Sequence, residues 1–512
     1  MESQIKVWIF IPIYNFEPFL KECFDSIYIQ TYKNYHCLVI NDGSTDMSQA
    51  IIEEQQNRFS NFTIIKNNEN NGGGYTKWQA LTYVKKNGSI NDIFIILDGD
   101  DYYKKPESLS VIVKTYWETN CLFTYGSFEG TYSEQTIEVP IPYKHSPDIF
   151  PFGHPRSWHC ALLTNFVCSD FKDRNNNWLK RYTDRRFIYK SYELAGPDRT
   201  AYIKDVLYVY RTHSNNCRKI HNSPMLKTIA FDYITHLPIC PVLNEDIHIV
   251  MCQYKRVEYL STILRNIQAQ TIANRIVVHI VNNNIDKWED IKSLVKSIDI
   301  SPVRFTLCNT GNNYYGYARF LRVKQLLKTT FLPYVIFIDD DQAIPPTWVE
   351  HMYKLKKPMT YSAWYGRIFE SSKPLYWNSI ITYTAITKNI NSATIYDYAG
   401  TGGCIIDTRV FMTDILFRCP KKYRFVEDLW LSFLFKKIFK TSLIRTFLPL
   451  LGMEGTASTG LYTTIRSEKE EFFKLLLAQN YLSDEPPSDL ESLYDYDDSN
   501  EIINTFNIDT SI

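Results

Sequence analysis

The sequence has no excess of either charge: Lys+Arg and Asp+Glu both number 56 in its 512 residues. A neutral balance supplies no global field for holding DNA, RNA or an anionic membrane, so no nucleic-acid partner is expected. It also lacks any apolar run approaching the ~20 residues of a membrane-spanning helix, and no transmembrane segment is expected. The opening MESQIKVWIFIPIYN is apolar but has neither a basic leader nor a small-residue cleavage site, and it reads as a strand. Eleven cysteines, scattered from Cys23 to Cys419, form no CxxC pair. That excludes a zinc-ribbon spacing or a dense disulfide framework and fits buried thiols in a reducing, cytoplasmic setting. What is present is globular: 45% apolar and 22% charged residues, in a chain too long for one core.

The strongest internal signal is a repeat. VWIFIPIYNFEPFLKECFDSIYIQTYKNYHCLVINDGSTD, from Val7, has a partner in IHIVMCQYKRVEYLSTILRNIQAQTIANRIVVHIVNNNID, from Ile247. Tyr14 pairs with Tyr254, Leu20 with Leu260 and Gln30-Thr31 with Gln270-Thr271, each 240 residues apart. Asp98 and Asp100 pair with Asp339 and Asp341, 241 residues apart. Each half opens with a β-rich run, then a helix-period segment with Phe19, Leu20, Cys23 and Ile27 (or Leu260, Ile263, Leu264 and Ile267) on one face, then a second β-rich run. Strand–helix–strand with short connections is the unit of a helix-covered parallel sheet, so the fold class is α/β. The expected domains are 1–238 and 239–470, divided near the prolines of Leu237–Pro241, with an acidic, loosely ordered tail over 471–512.

In a parallel sheet, ligands bind beyond the carboxyl ends of the strands. There the run IFIIL ends in Asp98-Gly99-Asp100-Asp101, and YVIFI ends in Asp339-Asp340-Asp341. Taken singly, such clusters are also ordinary turns, since Asp and Gly favour them. Duplicated in register at strand ends, they are oxygen donors suited to Mg²⁺ or Mn²⁺ bridging a diphosphate.

Together with these clusters, IPIYN (Ile11–Asn15), VINDGSTD (Val39–Asp46), ENNGGGYTKWQAL (Glu69–Leu81) and VLYVYRTHSNN (Val206–Asn216) carry a resemblance. In order, they look like the signatures of the family 2 glycosyltransferases of the GT-A fold. The resemblance spans residues 5–217 closely and implies two tandem GT-A domains, Rossmann-like with mostly parallel sheets flanked by helices. It implies that Pro12, Tyr14, Asn15, Asp42, Lys77 and Asp98 bind the nucleotide-sugar, with Asp42 on the nucleobase. It implies further that Asp100 and His213 ligate the metal, and that Asp184 is the general base, although Thr183 stands where the family has Glu.

The second half resembles the family more distantly. GNNYYGYARF places Arg319 toward the diphosphate; Asp339 joins it in donor binding, Asp341 in metal binding, and Asp428 of RFVEDLWLSF is the base candidate. Asn283 replaces the nucleobase aspartate, and Arg445–Gly455 holds no histidine. Trp158, Trp364, Tyr365 and Trp430 read either as sugar platforms or as cleft and core walls. The implied protein is a bifunctional, metal-dependent inverting enzyme taking a UDP- or GDP-linked sugar to a glycan or glycoconjugate acceptor; a homo-oligomer is left open. Two rival readings are a catalytic N-terminal domain with an acceptor-positioning C-terminal one, and a non-catalytic glycan-binding scaffold.

Overall fold

The computed structural model describes residues 5–130, 152–180, 182–213, 240–243, 245–369, 375–378, 380–381, 395–446, 448, 450–452, 465–483 and 495–509. The chain forms two compact units, Met1–Leu243 with Lys328–Phe331, and Asn244–Leu327 with Leu332–Ile512. The expected boundary at 238/239 lies outside the described residues.

The N-terminal unit holds β1 (Val7–Ile13), β2 (Tyr35–Asp42), β3 (Phe62–Asn67), β4 (Ile93–Ile96), β5 (Tyr102–Tyr103), β6 (Phe123–Gly130), β7 (Arg156–His159) and β8 (Thr200–Tyr210). They make one eight-stranded sheet in the order β3-β2-β1-β4-β7-β6-β8-β5. From β3 to β4 all neighbours are parallel. Beyond β4 the sheet is mixed, with β7 antiparallel to β4 and β6, and β8 parallel to β6. The expected mostly parallel sheet is thus parallel where the acidic turn sits and mixed on the far side. β1 is buried almost throughout, as expected for a strand covered by helices on both faces.

The C-terminal unit holds β9 (Ile247–Gln253), β10 (Ile276–Asn282), β11 (Arg304–Asn309), β12 (Tyr334–Ile338), β13 (Gln342–Ala343), β14 (Thr360–Ala363), β15 (Gly366–Ile368), β16 (Ile380–Ile381), β17 (Ile395–Tyr396), β18 (Tyr398–Ala399), β19 (Cys404–Asp407), β20 (Ser442–Arg445), β21 (Leu451–Gly452) and β22 (Asn507–Asp509). Its nine-stranded sheet runs β17-β20-β14-β19-β12-β9-β10-β11-β22. The parallel core repeats that of the first unit: Ile9 faces Ile95 across β1–β4, and Ile249 faces Ile336 across β9–β12. The sequence offsets of 240 and 241 are therefore register offsets in the sheets.

The duplication extends to single hydrogen bonds. Gln30 is buried; its Nε2 donates to the carbonyls of Ser26 and Lys105, and its Oε1 accepts from Leu109 N. Gln270 repeats this with Asn266, Pro345 and Val349. Thr31 N reaches Pro106 O at 2.8 Å, and Thr271 N reaches Pro346 O at 2.9 Å. A buried amide can satisfy two carbonyls and one N–H at once, so one residue ties the first helix of each unit to the segment following the acidic turn.

Two differences from expectation bear on the sites. In the helix Glu17–Tyr28 the buried residues include Leu20, Cys23, Phe24 and Ile27. Phe19 is instead partly exposed and packs on His213, with ring centroids 4.3 Å apart. Beyond residue 470, the helix Arg466–Ala478 buries Phe472, Phe473 and Leu476, and Phe472 stacks on Tyr423 at 4.3 Å. Near the end, the helix Ser499–Asn504 buries Ile502 and Ile503, and β22 pairs antiparallel with β11. Isolated apolar residues in an acidic stretch found partners remote in sequence, which local composition does not register. Residues 484–494 and 510–512 of the expected tail lie outside the described residues.

Candidate active site

In the N-terminal unit the chain goes from β1 to β2 and β3 on one side, then crosses to β4 on the other, so the crevice beyond β1 and β4 lies at a topological switch point. Asn15, at φ 55°, closes β1: its N donates to Ser44 Oγ and its Oδ1 accepts from Thr45 N at 2.8 Å. Tyr14 beside it is 41% exposed, and its repeat partner Tyr254 is 37% exposed. The Pro12 carbonyl accepts from Gly99 N, and a Cβ on Gly99 would lie 3.0 Å from that same oxygen. Glycine is what lets the acidic turn close onto β1.

Asp42 ends β2 and is buried. Its carboxylate accepts from Asn67 Nδ2 (2.8 Å), Asn71 N (3.2 Å) and Gly72 N (2.8 Å), so it anchors the glycine-rich loop ahead of the helix Gly73–Asn87. Asn283 does the equivalent work in the C-terminal unit. Its Oδ1 accepts from Thr310 Oγ1 at 3.2 Å and its Nδ2 donates to Tyr315 O at 2.7 Å. A carboxylate can only accept, whereas an amide also donates, and the second loop offers a carbonyl where the first offers N–H groups.

The three carboxylates of the first acidic turn are held differently. Asp101 is buried and structural, accepting from Tyr208 Oη and Arg211 N, both at 2.8 Å. Burial, reinforced by Asp100 and Asp98, pushes its carboxyl up to about 9. Asp100 Oδ2 lies 2.9 Å from His213 Nε2, under the Phe19 ring. Asp98 is raised to about 7 by burial and then by the nearby Asp184 and Asp100.

Asp184 sits in the first turn of the helix Thr183–Ala195, whose dipole favours a carboxylate there. Lys77 Nζ is 2.9 Å from its Oδ1 and 3.1 Å from Thr183 Oγ1, and Arg156 Nη1 is 3.6 Å from its Oδ2. Against the desolvation that would raise it, Lys77 and Arg156 hold the Asp184 carboxyl well below the ordinary range. Lys77, Asp98, Arg156 and Asp184 line one cleft.

The C-terminal unit distributes its cations otherwise. Arg319 Nη2 is 3.0 Å from Asp339 Oδ1 and 3.9 Å from Glu427 Oε1. Arg256 Nη1 is 3.0 Å from Asp340 Oδ1 and 2.7 Å from Asp341 Oδ2. Burial raises Asp340 to about 6 against the pull of Arg256, and it raises Asp341 as well. Gly402 and Gly316 make room for carboxylates: a Cβ would meet Asp339 Oδ2 at 2.1 Å and Glu427 Oε1 at 1.9 Å. Burial, with Asp428 beside it, lifts Glu427 to about 7. Asp428, in the first turn of the helix Glu427–Lys437, accepts from Tyr398 Oη and faces Lys469 Nζ at 3.3 Å.

Among the described residues, no group of three or more His, Cys, Asp and Glu is arranged to hold a metal. The N-terminal pair Asp100 and His213 still fits Mg²⁺ or Mn²⁺, which take one or two protein donors and complete their shell with substrate phosphates and water. The C-terminal acidic turn fits a cation less well, since the Arg256 guanidinium already lies on Asp340 Oδ1 and Asp341 Oδ2.

Sequence reasoning missed Arg156, Arg256, Tyr398 and Lys469. Arg256 had a signal, as the repeat partner of Phe16. Of the proposed aromatic platforms, Trp158 and Trp430 are buried in the cores, while Trp364 and Tyr365 are partly exposed.

The model of the family described as Glycosyl transferase family 2 matches residues 8–169 and 248–416, well over half of the chain. The chain is 23% identical over 285 residues to the uncharacterized glycosyltransferase EpsJ of Bacillus subtilis, covering 49% of this chain and 75% of that protein. It is 32% identical over 101 residues to a poly(ribitol-phosphate) beta-glucosyltransferase of Bacillus spizizenii, covering 19% of this chain and 15% of that one. Among solved structures, S. aureus TarS 1-349 in complex with UDP is similar at 22% identity and a TM-score of 0.33, over 41% of this chain and 61% of that one.

Proposed function

This chain belongs to glycosyl transferase family 2, and from that premise we propose that it transfers sugars, with inversion, from UDP- or GDP-linked donors to a growing glycan, with a donor site in each unit. The observation that carries the reading is the matched placement of carboxylates. In both units an acidic turn follows the parallel strand beside the first strand, and a second aspartate, Asp184 or Asp428, opens a helix with a lysine on it.

In the N-terminal unit, Asp98 and Lys77 line the cleft that takes the donor, and Asp42 and Asn15 hold the loops that frame the nucleotide. Asp100 and His213 hold Mn²⁺ or Mg²⁺. When bound, the ion neutralises charge developing on the leaving diphosphate. Asp184 takes the proton of the acceptor hydroxyl, on the face opposite the leaving group. Lys77 and Arg156 keep it ionised before the donor arrives. As the diphosphate draws Lys77 toward itself, Asp184 loses a neutralising neighbour and becomes a stronger base. Thr183, in place of the family's Glu, serves as an uncharged partner for Lys77.

The test is Asp184→Asn in the full chain, screened with common sugar nucleotides: transfer is lost while metal-dependent donor binding survives. Transfer at the wild-type rate would remove Asp184 from the base role. A second reading, in which the C-terminal unit positions the acceptor without transferring sugar, is favoured by the hydrogen bond that Tyr398 Oη donates to Asp428. It is adopted if Asp428→Asn leaves every transfer unchanged.

A further inference from the structure

The two units place different groups over the same part of the acidic turn. Phe16 and Arg256 occupy the same repeat position, two residues past Tyr14 and Tyr254. In the N-terminal unit Phe16 lies edge-on to His213 at 6.3 Å, and the imidazole presents Nε2 to Asp100. In the C-terminal unit the guanidinium of Arg256 lies directly on Asp340 and Asp341, and that of Arg319 on Asp339. Every carboxylate of the second turn therefore faces an arginine nitrogen within 3.0 Å.

A divalent cation and a guanidinium compete for the carboxylate oxygens they would share, Asp340 Oδ1 and Asp341 Oδ2, and their like charges repel at that distance. For metal to bind through those two oxygens, Arg256 would have to leave two largely buried carboxylates at once. A guanidinium, however, supplies what the cation supplies elsewhere: a fixed positive charge, with N–H donors whose fork matches phosphate oxygens. Arg319 is buried, and its carboxylate neighbours hold its charge more firmly still, against the desolvation that opposes it. We propose that Arg256 takes the place of the divalent cation in the C-terminal unit, which binds a diphosphate through Arg256 and Arg319 without metal. The proposal rests on the reading that each unit holds a nucleotide-diphospho-sugar, and it makes the two donor sites of one chain differ in metal requirement.

The test counts Mn²⁺ on the full-length chain by electron paramagnetic resonance, with Mn²⁺ alone as probe. One site per chain is expected, lost in Asp100→Asn and kept in Asp341→Asn. Arg256→Ala is expected to gain a site, because it uncovers Asp340 and Asp341. In a second arm, inorganic pyrophosphate is titrated calorimetrically in EDTA, and Arg256→Ala is expected to weaken its binding at least tenfold. Loss of a Mn²⁺ site in Asp341→Asn overturns the proposal, as does pyrophosphate binding in EDTA that is absent or indifferent to Arg256→Ala. If Arg256→Ala does not fold, Arg256→Met in the pyrophosphate arm and Asp341→Asn in the Mn²⁺ arm decide the matter. A Mn²⁺ count unchanged by Asp100→Asn instead defeats the metal assignment of the N-terminal unit, leaving the Arg256 arms to stand or fall separately.

Discussion

The two acidic turns, Asp98–Asp101 and Asp339–Asp341, follow equivalent strands in equivalent register yet carry different electrostatics. In the first, the helix cation Lys77 looks across the cleft to Asp184, and the turn keeps an imidazole on Asp100. In the second, the helix cation Arg319 turns to Asp339, Arg256 covers the other two carboxylates, and Lys469 supplies the charge on Asp428. Backbone geometry survives duplication because buried strands and the Gln30 and Gln270 brackets tolerate little change. Charge pairing diverges more readily, since moving one cation by one position redirects it to another carboxylate at small cost to the core.

The largest expected effect tests this asymmetry directly. Asp100→Ala should lower transfer by the N-terminal unit about 10²–10³-fold, the scale for losing a group that stabilises transition-state charge. The same change at Asp341 should cost clearly less, and equal losses in paired rate measurements would erase the distinction drawn here. Next, Gln30→Ala and Gln270→Ala should destabilise their own units by similar amounts, on the order of 2–3 kcal/mol, by orphaning buried backbone groups. Denaturant melts read with hydrogen exchange on each unit check this, and strongly unequal values would break the structural half of the comparison.

A smaller effect sharpens the electrostatic half. With Lys77→Met, only Arg156 still offsets desolvation at Asp184, so its carboxyl rises and the acidic limb of the rate–pH profile moves upward. An unmoved limb would detach Lys77 from Asp184. The smallest effect concerns a position where the units differ in the sheet: His279 stands where the first unit has Leu38. His248, hydrogen-bonded to His279, is pushed down to about 4 by burial, and burial lowers His279 too. A histidine depressed in the fold takes up a proton on unfolding, so this stability is present above the unfolded pKa near 6.5 and is lost as pH falls toward 4. His279→Leu should therefore flatten the loss between pH 7 and pH 5 by about 1 kcal/mol, read from denaturant midpoints at the two values.

Much of this organisation was legible in the sequence because it is local or periodic. The repeat offsets, the buried strands and the position of each acidic turn follow from apolar alternation and strand-end placement. The Gln-Thr step was visible as a pattern before its three hydrogen bonds gave it a reason. Phe19 was misplaced on the buried helix face, since helical period alone does not reveal that His213 waits beside it. The covering of Asp340 and Asp341 by Arg256 spans 84 and 85 residues, and Lys469 reaches Asp428 across 41. No spacing rule encodes such contacts. The helix Ser499–Asn504 and β22 escaped notice for the same reason, as few apolar residues in an acidic context carry no period.

The pattern of residues along the chain is enough to specify a duplicated α/β protein with carboxylates at two equivalent strand ends. Periodicity and register are properties of the chain, repeated every two or 3.6 residues. Which cation faces which carboxylate is set by the packing of the folded chain. That choice depends on separations of a few ångströms between side chains remote in sequence, where charge interaction falls off with distance and deepens with burial. Those separations make Asp100 a partner of His213 and Asp341 a partner of Arg256.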